Sequence, residues 1–290
     1  MSEMRYEAPK TLRAAVALLS GANGKARLLA GGTDLLIQMR SGRLEPELLV
    51  DIKGIPELRA IVAKGGGFHF GSAVTCMELV EHEAFASAWP GVIDGVKLIG
   101  SIQVKGRATV GGNLCNASPA ADSVPAMMAA GAVVRIVGPD GTREAPVEDI
   151  PTGPGKTSLA RNEIVASFLL PPRPRHSGDA YLRFTPRTEM DIAVVGAGVN
   201  LSLDDRGICT RARIALCAVA ERAVLVPDAA AVLIGTPVDG AALDRLAAAA
   251  SAACRPIDDK RGTKAFRIKV AGVIARRAAE IALQRAGRQG

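Results

Sequence analysis

Aromatic residues are scarce in this sequence, at 3% of 290 residues. The core must therefore be built mainly from Ala, Val, Leu and Ile, within an apolar content of 48%. No uninterrupted apolar run is long enough to cross a bilayer, which takes about 20 residues. Residues 1–6 lack the apolar stretch of a secretory signal, so the cytoplasm is the expected location. A chain of this length is expected to form a globular protein of two or three subdomains.

Cysteine and histidine are also few, and their spacing argues against several kinds of site. The five cysteines include no C-x-x-C pair, and the closest two, Cys209 and Cys217, are eight residues apart. This pattern argues against a disulfide framework and against an iron–sulfur or zinc site made by this chain alone. None of the three histidines has a His or Cys neighbour at metal-ligand spacing. No nucleophile and base are arranged for hydrolysis, so we expect neither a metal ligand nor a catalytic residue.

Acidic residues are in the minority, with 29 Asp and Glu against 36 Lys and Arg, a formal net charge of +7. Residues 255–290 hold the whole surplus, since ten basic and three acidic residues occur there. A basic face can bind an acidic partner, and nucleic acid is one candidate. The segment has no interleaved aromatic residues and no known nucleic-acid motif, so we expect no nucleic-acid partner. A solvated helix face, a subunit contact and an anion contact are all compatible with it.

Apolar periodicity and chain breakers divide the sequence into three units. Residues 1–57 have the pattern of a small α/β unit whose first helix is capped by Thr11. Residues 58–175 form a second unit that ends at the proline-rich stretch Pro171 to Pro174. Residues 176–290 combine antiparallel strands with two long helices. The main predicted strands are 28–30, 48–52, 67–71, 133–137, 163–170, 181–184, 193–203 and 211–217, and the main predicted helices are 11–19, 34–39, 77–82, 89–99, 123–130, 241–254 and 265–286.

The most informative feature that is present is a pair of glycine segments about 80 residues apart. The first is Ala30-Gly31-Gly32-Thr33-Asp34, and the second, Thr109-Val110-Gly111-Gly112-Asn113, continues to Ser123. Glycines at strand ends let the backbone approach a ligand closely, and successive N–H groups can converge on an anion. Asp34 cannot itself favour phosphate, so it is expected to cap backbone N–H groups or to meet a ribose or adenine donor. The segments are predicted to be two loops that hold one large phosphate-bearing cofactor.

Together the two segments resemble those of the FAD-binding subunits of the molybdenum hydroxylases. That family includes the medium subunits of carbon monoxide dehydrogenase and of bacterial xanthine dehydrogenase-like enzymes. The resemblance implies an α+β fold, in which a PCMH-type FAD-binding domain of two subdomains, 1–57 and 58–175, precedes a C-terminal α/β domain, 176–290, with a small antiparallel sheet and helices. It runs nearly end to end, through residues 6–12, 101–104, 162–165, 181–183 with Arg187, 191–195, 259–262 and 265–267.

The resemblance also implies which residues bind FAD. Asp122 matches an aspartate that contacts the flavin, and Ile99 and Val165 match residues near it. Arg183 matches a position that is often Lys, where a cation beside the ring would stabilise the reduced flavin and raise its potential. An ordinary surface position on a strand is the alternative for Arg183. The implied binding set is Arg27, Leu28, Leu29, Ala30, Gly31, Gly32, Thr33, Asp34, Ile99, Thr109, Gly111, Gly112, Asn113, Asp122, Val165 and Arg183.

By the same resemblance, the chain is a flavoprotein subunit of an oxidoreductase and holds FAD noncovalently. A molybdenum cofactor in a large partner subunit would oxidise the substrate, and [2Fe–2S] clusters in a small partner subunit would pass the electrons to FAD. NAD, a quinone or oxygen would then accept them, and the expected assembly is a dimer of heterotrimers. Two alternatives are compatible with the residues: a stand-alone flavin oxidoreductase of the same fold class and a non-redox anion-binding protein.

Overall fold

A small parallel sheet begins the described part of the chain, which in this computed structural model covers residues 4–187 and 190–287. Residues 1–3 and Arg288, which entered the predictions on location and charge, lie outside these ranges. The strand order is β1-β3-β2. Thr11 caps the first helix as predicted, because its hydroxyl oxygen accepts a hydrogen bond from the Ala14 amide at 3.2 Å. The elements are β1 (Arg5–Glu7), α1 (Leu12–Gly21), β2 (Ala26–Leu29), α2 (Leu35–Arg40) and β3 (Leu48–Asp51).

A five-stranded antiparallel sheet with the order β4-β5-β10-β6-β7 follows. Several of the scarce aromatic residues gather in its core, where the rings of Phe70 and Phe168 stack at 4.9 Å. The elements are β4 (Ile61–Lys64), β5 (Gly67–Gly71), α3 (Cys76–Glu81), α4 (Glu83–Ala88), α5 (Pro90–Lys97), α6 (Ile102–Lys105), α7 (Val110–Cys115), α8 (Ser123–Ala129), β6 (Val133–Gly138), β7 (Gly141–Pro146), β8 (Pro151–Gly153), β9 (Lys156–Thr157) and β10 (Ile164–Leu170), with 3-10 turns at Pro56–Leu58 and Val147–Asp149.

The last part of the chain is a four-stranded antiparallel sheet covered by a long helix. This helix, α11, packs on the sheet through buried alanines and lies so close that a Cβ on Gly178 would overlap the Ala282 carbonyl. Its many alanines are thus explained by the close approach of helix and sheet. The elements are β11 (Ser177–Phe184), β12 (Val195–Leu203), β13 (Cys209–Cys217), β14 (Val224–Leu225), α9 (Pro227–Ala231), α10 (Gly240–Ala252) and α11 (Lys264–Gly287).

The proline-rich stretch that was predicted to be a boundary or linker is held firmly in place. Arg173 donates to Asp179 at 2.6 Å and to the Ala88 carbonyl, and its guanidinium lies 4.9 Å from the ring centroid of Trp89. Arg285, near the end of α11, donates to Asp94 on α5 at 2.6 Å. These contacts fasten the third sheet and α11 to the second part of the chain.

The α+β fold class predicted from the resemblance is confirmed. The division at residues 57 and 175 stays a prediction, because the core around the first sheet also includes Ile164 and Ala166 of β10. Four short helices, α4, α6, α7 and α9, were not predicted. Among the described residues, no helix is both long and apolar enough to span a membrane, and no cluster of three His, Cys, Asp or Glu side chains could hold a metal ion.

Candidate functional site

A cleft of about 680 Å³ lies between the parallel sheet and the five-stranded sheet. One wall is formed by the end of β2 and the start of α2, a second by residues 108–116, and a third by residues 155–165. Cofactor sites in proteins commonly have volumes of about 300–1,000 Å³. The cleft therefore has the size of a nucleotide cofactor site, and both glycine segments border it.

The first glycine segment connects β2 to α2 along the cleft. Gly32 has φ +77°, a conformation that strongly favours glycine, and a Cβ on Gly31 would overlap the backbone carbonyl of Arg107. Gly31 therefore lies against the backbone of Arg107 and Ala108, just before the second segment, which leaves no room for a side chain. The amides of Gly31, Gly32 and Thr33 donate no hydrogen bond to any other described residue.

Asp34 stands at the start of α2 but makes no side-chain cap, contrary to one of its two expected roles. Its carboxylate lies in the open cleft, where partial burial raises its pKa. It thus stays available to accept hydrogen bonds from a ligand, which is the second role expected for it.

The second glycine segment is not a loop at residues 110–115, as had been predicted, but the short helix α7. Thr109 is its N-cap, and the Thr109 hydroxyl oxygen accepts from the Gly112 amide at 2.9 Å. A Cβ on Gly111 would lie 2.6 Å from the Ser72 carbonyl oxygen, so this glycine lets α7 pack directly on the second sheet. The Gly111 amide also donates to no other described residue.

Thirteen of the sixteen predicted residues line the cleft. Leu29 does not, because its side chain lies on the opposite side of β2 from Leu28. Asp122 and Arg183 do not either, since their side chains bind each other in a buried pair. The thirteen that line it are Arg27, Leu28, Ala30, Gly31, Gly32, Thr33, Asp34, Ile99, Thr109, Gly111, Gly112, Asn113 and Val165.

The pair formed by Asp122 and Arg183 belongs to a polar cluster directly behind this wall. Arg183 donates to Asp122 at 2.6 Å, and the Tyr181 hydroxyl donates to the other carboxylate oxygen at 2.8 Å. Burial is the largest influence and raises the pKa of Asp122 to about 6, although both partners lower it. Ser123 links the cluster to the cleft, because its hydroxyl donates to the side-chain oxygen of Asn113 at 2.7 Å.

The contact between Arg183 and the flavin that the resemblance implies stays a prediction, and the structure shows the partner of this side chain within the protein. The side chain is neither a surface residue nor a free cation beside the cleft, because its exposed fraction is only 6% and a carboxylate neutralises it. Its position in the wall behind Asn113 instead lets it fix the Asp122 carboxylate, since a buried charge needs a partner.

Several residues that line the cleft were missed in the sequence. Gln38 on α2 donates to the side-chain oxygen of Asn116 at 3.0 Å and so joins α2 to the second segment. Leu159 and Arg161 line the third wall of the cleft, and Cys115, which belongs to the longer second segment, is exposed in the cleft. These residues follow no motif. Gln38, Leu159 and Arg161 come together only in the fold, whereas Cys115 and Asn116 lie inside the longer second segment.

The described residues fit FAD on their own geometry. Four unbonded amides, at Gly31, Gly32, Thr33 and Gly111, border one cleft, and peptide N–H groups of this kind bind pyrophosphate without a cation. The glycine positions form a cradle that a Cβ would fill. Ile99 and Val165 supply apolar wall for a ring system.

Comparison with known proteins decides the family. Residues 2–173 match the family model of the FAD binding domain in molybdopterin dehydrogenase, and residues 180–282 match the CO dehydrogenase flavoprotein C-terminal domain. The chain belongs to this family of flavoprotein subunits. Its resemblance to that family, inferred from the two glycine segments, is confirmed.

Relatives within the family cover almost the whole chain. The carbon monoxide dehydrogenase medium chain of Afipia carboxidovorans is 34% identical over 97% of both chains, and the xanthine dehydrogenase FAD-binding subunit of Escherichia coli O157:H7 is 32% identical over 97% of both. Among solved structures, CO dehydrogenase from Oligotropha carboxidovorans matches with a TM-score of 0.94 and 34% identity over 98% of both chains. Quinoline 2-oxidoreductase from Pseudomonas putida 86 matches with a TM-score of 0.90 and 28% identity over 98% of both. This member of the family is thus an FAD-binding subunit of an oxidoreductase complex.

Proposed function

We propose that the chain holds FAD noncovalently in the cleft and passes electrons from iron–sulfur clusters of a small partner subunit to an external acceptor, which is NAD, a quinone or oxygen. A molybdenum cofactor in a large partner subunit would oxidise the substrate. The assembly would be a dimer of such heterotrimers in the cytoplasm. The observation that carries the FAD site is the convergence of the unbonded amides of both glycine segments on one cleft.

The described residues would divide the cofactor between them by chemistry. The amides of Gly31, Gly32 and Thr33 would bind the pyrophosphate, and the Asp34 carboxylate would accept from a hydroxyl or amino group of the nucleotide. Ile99 and Val165 would contact the ring and keep water from it. FAD supplies the redox chemistry when it is bound, and the protein's part is to orient the cofactor and tune it.

The first test is the visible spectrum of the purified chain, followed by that of the supernatant after heat denaturation. Oxidised-flavin bands that move to the supernatant, and a released flavin that chromatographs as FAD, are the expected result. A flavin that stays with the precipitate would contradict noncovalent binding and would direct attention to Cys115, which is exposed in the cleft. A colourless chain that takes up no added FAD, alone or in its complex, would contradict the proposal.

Purification from the source cells separates the subunit from a stand-alone flavoenzyme. We expect two further chains to copurify, one with molybdenum and one with iron and acid-labile sulfide. A yellow chain that purifies alone and turns over a substrate by itself would favour the stand-alone enzyme.

A further inference from the structure

Ser72 is a buried serine that lines the cleft, although it was not among the residues predicted to bind the cofactor. It follows the last residue of β5, and its amide donates to the Ala166 carbonyl of β10 at 2.9 Å. Only 4% of the residue is exposed. Its backbone is therefore held by the five-stranded sheet, and its side chain is enclosed where that sheet meets the cleft.

The Ser72 hydroxyl has no hydrogen-bond partner in the part of the chain that the structure describes. Two other buried side-chain atoms there lack a partner, Glu148 Oε2 and Arg267 Nε, but both of these side chains form hydrogen bonds through their other polar atoms. Ser72 has only one polar side-chain atom. Buried hydroxyls almost always have a partner, because burial removes their hydrogen bonds to water. The partner of this hydroxyl is therefore a group from outside the described residues.

Gly111 places this hydroxyl beside the second glycine segment. A Cβ on Gly111 would lie 2.7 Å from the Ser72 Cβ, so this glycine packs against the carbon that carries the hydroxyl. The Gly111 amide is also unbonded, whereas the Thr109 hydroxyl already accepts from the Gly112 amide. Two donors without partners thus lie next to each other in one wall of the cleft, and such a pair suits a ligand that is rich in oxygen acceptors.

We propose that the Ser72 hydroxyl donates a hydrogen bond to an oxygen of bound FAD. The inference rests on the proposed function and adds to that site a binding residue that no motif indicated. FAD carries acceptor oxygens in its pyrophosphate and in its ribityl chain. A serine has three staggered rotamers, so the hydroxyl can turn to meet such an oxygen in the cleft that Ser72 lines.

The test is Ser72→Ala in the full chain after removal of FAD. Fluorescence titration should show FAD affinity about tenfold weaker, which is the effect of losing one hydrogen bond. Denaturant titration of the ligand-free variant should show stability equal to or above that of the wild type, because the change removes a buried hydroxyl that forms no bond within the described chain. A purely structural serine would give the opposite result, with lower stability and unchanged affinity.

Ser251→Ala is the matched control. Ser251 lies on α10, outside the walls of the cleft, and its hydroxyl donates to the Ile268 carbonyl at 2.9 Å. The control should therefore lose stability and bind FAD as the wild type does.

Competition with ADP shows which oxygen of FAD accepts from Ser72, because ADP has the pyrophosphate but lacks the ribityl chain. An equal loss of affinity for both ligands in Ser72→Ala would assign the bond to the pyrophosphate. A loss for FAD alone would assign it to the ribityl chain.

Wild-type affinity of Ser72→Ala for FAD would overturn the inference. So would a weaker affinity together with a lower unfolding midpoint of the ligand-free variant, since the hydroxyl would then have a partner within the protein. A wild-type chain that binds no FAD would instead contradict the proposed function itself.

Discussion

Gly31 is the residue at which the first glycine segment meets the backbone that leads into the second. A Cβ there would overlap the Arg107 carbonyl oxygen and lie 2.8 Å from its carbon, and both are backbone atoms that no rotamer change can move. Gly31→Ala should therefore force the segments apart, at a cost of about 1–3 kcal/mol in the free energy of unfolding. FAD affinity should fall at least about tenfold, since the amides on both sides lose their alignment.

Denaturant titration of the ligand-free chain and FAD binding followed by fluorescence measure the two effects. Gly21→Ala is the control, because no atom lies within 4 Å of a Cβ at the end of α1. If Gly31→Ala bound FAD as tightly as the control, the close backbone contact would not matter for the site.

Asp122 should make stability depend on pH in the direction opposite to most carboxylates. Burial raises its pKa to about 6 in the folded chain, against about 3.9 for an unfolded aspartate. Between these values the folded state binds the proton more tightly than the unfolded state, so the contribution of Asp122 to stability falls as pH rises from about 4 to about 6. The loss is on the order of 3 kcal/mol.

Comparison with Asp122→Asn isolates this contribution from the other carboxylates. Near pH 4 the wild-type Asp122 carboxyl is also neutral, so wild type and variant should have similar stability, and the wild type should lose stability relative to the variant as pH rises from 4 to 6. Unfolding midpoints across that range measure it. A wild type that gained stability relative to the variant as pH rises would show that Asp122 is ionised throughout.

At the scale of elements, helix α7 is a case in which the sequence motif did not predict the secondary structure. Paired glycines and an asparagine are typical of a loop, yet Thr109 supplies a cap and residues 110–115 form a helix. The position of the segment at the cleft could be predicted from its resemblance, because the resemblance reflects a shared fold. Its helical form depends on packing against Ser72, which is distant in sequence.

The cap on α7 can be tested by a change that preserves shape. Thr109→Val keeps the branched side chain but removes the oxygen that accepts from the Gly112 amide, and a lost N-cap costs about 1 kcal/mol. Because Gly111 and Asn113 lie on the same helix in the cleft wall, FAD affinity should fall with it. Thr109→Ser keeps the oxygen and should have the stability and the FAD affinity of the wild type in thermal melts and FAD titrations. A serine variant with stability and affinity as low as those of the valine variant would contradict a role for the cap.

The long-range partners of the site were beyond sequence reasoning for a similar reason. The pairs Gln38–Asn116 and Arg183–Asp122 join residues 78 and 61 positions apart, and neither pair forms a local pattern. The resemblance supplied Asp122 and Arg183 as single contacts. Only the fold shows that the two side chains form a buried ion pair with each other.

At the scale of the whole molecule, part of the basic surplus of the C-terminal segment serves internal contacts. Arg267 is buried and donates to the Val194 and Ala218 carbonyls, and Arg285 donates to Asp94 and to the Asp179 carbonyl. The net charge of a segment therefore does not predict how much positive charge the segment exposes to a partner.

The contact between the second and third sheets, which we call the seam, depends on Arg173. Its partner Asp179 has a side chain only 3% exposed, and burial raises the pKa of that carboxyl while Arg173 lowers it. Arg173→Met would leave the carboxylate without this charge and remove the contact with Trp89, at a cost of about 3–5 kcal/mol. Calorimetry should show the C-terminal part, with β11 to β14, unfolding before the FAD-binding part, whereas the wild type unfolds in one transition.

Arg206→Met provides the comparison, because Arg206 forms a solvent-exposed pair with Asp204 and its loss should change stability by less than about 0.5 kcal/mol. The wild-type seam also carries the Tyr181 and Arg183 contacts to Asp122, so early separation of the C-terminal part should release FAD at the same temperature. Flavin fluorescence in the same scan reports that release. If Arg173→Met separated the parts while FAD stayed bound, the cleft would hold its cofactor without help from the C-terminal sheet, and the Asp122 cluster would serve only the seam.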